Sequence, residues 1–121
     1  MPDLCINFDA ATVAPKIHTM SLLCIVTVTL ARWPSRATCA SQEHDGQVMF
    51  WTAPVWEVAH ARLNSNMDDG PLVMAGLGEP VERFYFKINK QPYVAFDWQR
   101  AVVTKEQYLV EAQVRQTALS H

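Results

Sequence analysis

Between residues 105 and 119 the apolar positions recur on two sides of a helix rather than one. At about 100° per residue, Tyr108, Leu109, Ala112 and Leu119 share one stripe, and Val110, Val114 and Ala118 line up on nearly the reverse side. Thr104 and Gln107 stand three apart at the start, the spacing of a capping box in which each side chain meets the other residue's backbone N–H. One apolar stripe docks such a helix on its own protein. The other requires a second cover, supplied by the chain's own N-terminal segment, a twin subunit or a different protein.

Upstream, the pattern reads as short strands around one more helix. Residues 48–51 form an apolar strand; Thr52 offers a hydroxyl cap and Pro54 a pre-set φ for a helix to about residue 63, with Val55, Ala59 and Leu63 as its inward row. Asn64, Ser65, Asn66, Asp68, Asp69, Gly70 and Pro71 stop it. Residues 72–75 read as a strand, Gly76, Gly78 and Pro80 as a loop, and residues 82–89 as a strand of period two. There Phe84, Phe86 and Ile88 face one way and Arg83, Tyr85 and Lys87 the other. After a tight connection over residues 89–92, a return strand sets Val94, Phe96 and Trp98 on one side and completes a hairpin. Short connections favour antiparallel pairing. The order predicts a single α+β domain over residues 41–121: a two-layer sandwich, mainly antiparallel sheet, with two helices on the face of Phe84, Phe86 and Phe96.

Residues 1–40 read as a flexible extension plus an apolar segment. Residues 1–19 contain Pro2 and Pro15 and show no sustained period. Residues 21–31 are mostly apolar, and the succession Ile25, Val26, Thr27, Val28, Thr29 suits a buried strand. The same run, with Lys16 and His18 before it and small residues after, has the order of a secretory leader. Asp3, Asp9, Arg32, Arg36 and the poor cleavage pattern Thr38-x-Ala40 stand against that. Translation starting at Met20 or later is a third reading. The run falls far short of the ~20 residues that span a bilayer as a helix.

Half of the 121 residues are hydrophobic and 18% are charged, which suits a folded domain and excludes a disordered or supercharged chain. The net charge of −2 is unevenly placed. Residues 1–40 hold three basic and two acidic side chains, residues 41–121 seven and ten. An acidic C-terminal part lacks the cationic footprint of nucleic-acid binding. The cysteines, Cys5, Cys24 and Cys39, match neither a paired disulfide framework nor a metal knuckle. Reduced thiols in a cytoplasm are the simpler account; a Cys24–Cys39 bridge belongs to the alternative of a periplasmic or secreted protein.

No motif with specific chemistry emerges. Glu57-x-x-His60 has the helical spacing of carboxylate-bridged metal sites but lacks the second copy they need. Asn64-x-Asn66-x-Asp68 begins like a calcium loop, then places Asp69 where glycine belongs and Ala75 where glutamate belongs. Gly76-x-Gly78 is followed by Glu79 and Pro80, wrong in charge and in N–H supply for a phosphate site. Arg83 to Lys87 interleaves aromatics and cations, but alternation sends Phe84 and Phe86 inward. Serine elbows and a Cys–His signature are missing too. No catalytic residue, metal ligand or cofactor is assigned.

What the sequence has in surplus is amphipathic and apolar surface: Trp51, Trp56, Tyr85, Tyr93 and the Val110/Val114/Ala118 stripe. Such residues anchor protein interfaces. The expectation is a small non-enzymatic regulator or inhibitor that binds another protein, itself or both. It masks a partner's surface, is homodimeric, and makes contact through Trp56, Tyr85, Tyr93, Val110, Val114 and Ala118. The alternatives are a monomer whose residues 20–33 fold over the second stripe, an exported small domain with a cleaved leader, and a small enzyme with a spatially assembled site.

Overall fold

The computed structural model describes residues 13–64 and 76–119, the side chains of 118 and 119 excepted. The strand expected at residues 72–75, the calcium-like spacing beyond Asn64, Cys5 and the Ala118 side chain therefore lie outside the described residues. In chain order the elements are β1 (Lys16–Ile17), α1 (Leu22–Thr29), β2 (Cys39–Gln42), β3 (Gln47–Trp51), α2 (Val55–Asn64), β4 (Glu82–Tyr85), β5 (Lys87–Ile88), β6 (Gln91–Pro92), β7 (Val94–Ala95), β8 (Val103–Thr104) and α3 (Lys105–Leu119). The fold is α+β with a mainly antiparallel sheet, as the order of elements predicts.

The central sheet runs β4–β3–β2–β8, every neighbour antiparallel. Strands β2 and β3 are buried at every position, because their alternate side chains feed two different clusters. Ala40, Val48 and Phe50 join Leu22, Ile25 and Val26 of α1, with Trp33, Phe86, Val94, Trp98 and Tyr108. Cys39, Met49 and Trp51 instead meet Val58 of α2. In the first cluster Trp33 lies edge-on to Phe50, with ring centroids 5.3 Å apart.

The turn between β2 and β3 depends on Gly46, whose φ of +90° is open to glycine at little cost. A Cβ there would also come within 3.2 Å of both the Pro92 side chain and the Tyr93 carbonyl. The turn thus lets the hairpin lie against the segment leading into β7. Gln42, fully buried, fixes that contact: its amide donates to the carbonyls of Gly46 (3.1 Å) and Tyr93 (3.0 Å), and its oxygen accepts from Ala95 N–H at 2.8 Å.

Four sequence expectations change. The apolar run at residues 21–31 is a helix over Leu22–Thr29, not a strand. Ser21 caps it by accepting from Cys24 N–H at 3.0 Å, and the Asp97 carboxylate, 75 residues away, accepts from Leu22 N–H at 2.9 Å. These two acceptors satisfy N–H groups of the first helical turn that have no partner within the helix. Helix α2 faces inward through Val58 and Arg62, one position off the expected Val55/Ala59/Leu63 row, and Leu63 is 65% exposed. The continuous strand at residues 82–89 is interrupted at Phe86, and β5 and β6 close a separate hairpin through Asn89 and Lys90, both at positive φ. On the return side Val94 and Ala95 pair in parallel with Lys16 and Ile17, and the chain then turns, so that Phe96 is half exposed rather than inward.

Candidate protein-contact surface

Helix α3 starts where the capping box places it: Gln107 N–H donates to Thr104 Oγ1 at 3.1 Å, and Thr104 N–H to Gln107 Oε1 at 3.0 Å. Its inner face is set by Tyr108. That ring is 4% exposed, lies 5.4 Å from Trp33, and its hydroxyl donates to the Leu30 carbonyl just beyond α1 at 3.1 Å. Ala112 packs against the same cluster. One turn further, Arg115 donates to Cys24 Sγ at 3.1 Å and its Nε lies 3.4 Å from the Glu111 carboxylate. Two turns of α3 are thereby held along α1.

The opposite side of α3 is bare. Val110 and Val114 are 63% and 56% exposed, and with Gln113 and Thr117 they line an open hollow of about 310 Å³. Leu109, expected in the inner stripe, is instead half exposed, because Tyr108 and Ala112 set the inward direction and Leu109 falls about 100° round from Tyr108.

The other expected contact residues are scattered. Trp56 projects from α2 into solvent, and Tyr85 is half exposed on the edge strand β4 with the Lys87 ammonium 5.5 Å from its ring centre. Tyr93 is half-buried and packs against the larger cluster. Val110 and Val114 line one hollow together, whereas Trp56, Tyr85 and Tyr93 do not line it. Trp51, counted in the surplus, is fully buried and donates from its indole nitrogen to Ser41 Oγ at 2.9 Å.

Sequence reasoning missed a buried polar group under α2. Arg62, 6% exposed, donates from Nη1 to the Gln42 carbonyl at 2.8 Å, lies 3.7 Å from the buried Glu43 carboxylate and sits 5.8 Å from the Trp98 ring. Burial lowers the pKa of the guanidinium, and the negative charge of Glu43 acts in the opposite sense. The available signal was spacing: Arg62 follows Val58 by one helical turn on the same face. Its surroundings suit anchoring of α2, not chemistry on a ligand.

The remaining candidates have ordinary structural roles. His60 is exposed and pairs with Asn64, whose amide donates to the His60 carbonyl at 2.8 Å. Gly76 and Gly78 take positive φ with open space around them. Cys24 and Cys39 are free thiols, and burial pushes the Cys39 thiol above its ordinary value. Among the described residues no three His, Cys, Asp or Glu side chains are grouped to hold a metal ion, and no helix is long and apolar enough to cross a membrane. No protein-family model, curated protein or solved structure matches this chain.

Proposed function

We propose that this protein works by binding protein, as a small non-enzymatic regulator or inhibitor that covers a partner's contact surface with the outer face of α3. The carrying observation is the pair Val110 and Val114, more than half exposed on a helix whose other side is already docked. Covering both recovers on the order of 2 kcal/mol. That is a useful contribution to association, and the helix is held in place by its docked side, through Tyr108 and Ala112. Trp56 on α2 and Tyr85 on β4 are further anchors of the kind that interfaces use, each on a surface of its own.

The test compares the wild-type chain with Val110→Glu/Val114→Glu as baits in the native host, with circular dichroism of both. A protein is expected to be retained by the wild type and lost from a folded double variant. Identical retention by the two baits removes the outer face of α3 from the contact.

A further inference from the structure

We draw no further inference here: the strongest candidate, the surface patch that Trp56 and Leu63 form two turns apart on α2, 70% and 65% exposed, is an unpartnered apolar face, and nothing in the structure shows what covers it.

Discussion

Gln42→Leu isolates a long-range polar tie of the fold. Leucine keeps the bulk of the side chain and removes its three hydrogen bonds to backbone at Gly46, Tyr93 and Ala95. The Gly46 carbonyl still accepts from Phe86 N–H at 3.1 Å, so it retains a partner. The Tyr93 carbonyl and the Ala95 N–H lose theirs. An unsatisfied buried group costs about 1–3 kcal/mol, so two cost about 2–6 kcal/mol, a large share of the roughly 5–15 kcal/mol that holds a domain of this size. With a urea slope of about 2 kcal/mol/M, the midpoint should fall by about 1–3 M. Tryptophan fluorescence reports the transition, since Trp33, Trp51 and Trp98 are all buried. A midpoint within about 0.3 M of wild type at unchanged slope would refute the assignment of Gln42 as the clamp between the β2–β3 turn and β7.

Arg62→Met is expected to cost about 1–3 kcal/mol by removing the charged donor to the buried Gln42 carbonyl; a loss below about 0.5 kcal/mol would show that the guanidinium does not anchor α2. A chain starting at Ser41 lacks Leu22, Ile25 and Val26, each fully buried, at roughly 1.5–3 kcal/mol apiece. It should give an unfolded amide proton spectrum; a dispersed spectrum would mean that α1 is dispensable to the core. For Cys39, burial raises the folded pKa above the ordinary 9.0. The unfolded chain therefore ionises first, and the thiol's contribution to stability, whole below pH 9.0, is lost as pH rises toward the folded value. Urea midpoints on either side of pH 9.0 should fall further for wild type than for Cys39→Ala. Equal falls would place the thiol in contact with water.

Local signals were legible and distant ones were not. The capping box at Thr104 and Gln107 needs only residues three apart, and the structure contains both of its bonds. The order of elements that defines the α+β class follows from periodicity and breakers, which are local as well. The inward face of α2 lies one position from the Val55/Ala59/Leu63 row because the Gln42 carbonyl and Glu43, placed by β2 and the turn after it, turn Arg62 inward. Helix α1 hides behind β-branched residues, and its second N-terminal acceptor, Asp97, lies 75 positions away. Gln42 looks like any polar strand residue until β7, more than fifty positions downstream, is brought beside it. The double apolar character of α3 was visible from spacing alone. Its inner direction was not, because Tyr108 and Leu109 differ only in which one meets Trp33.

The unfolding free energy of Val110→Glu/Val114→Glu, measured in urea at a concentration where the wild type is a single chain, tests the outer face of α3 most directly. Two carboxylates facing water should leave stability within about 1 kcal/mol of wild type and the helix signal intact. A loss of several kcal/mol, the signature of charge forced into a packed interior, would make the stripe part of the core and leave no surface there for a partner.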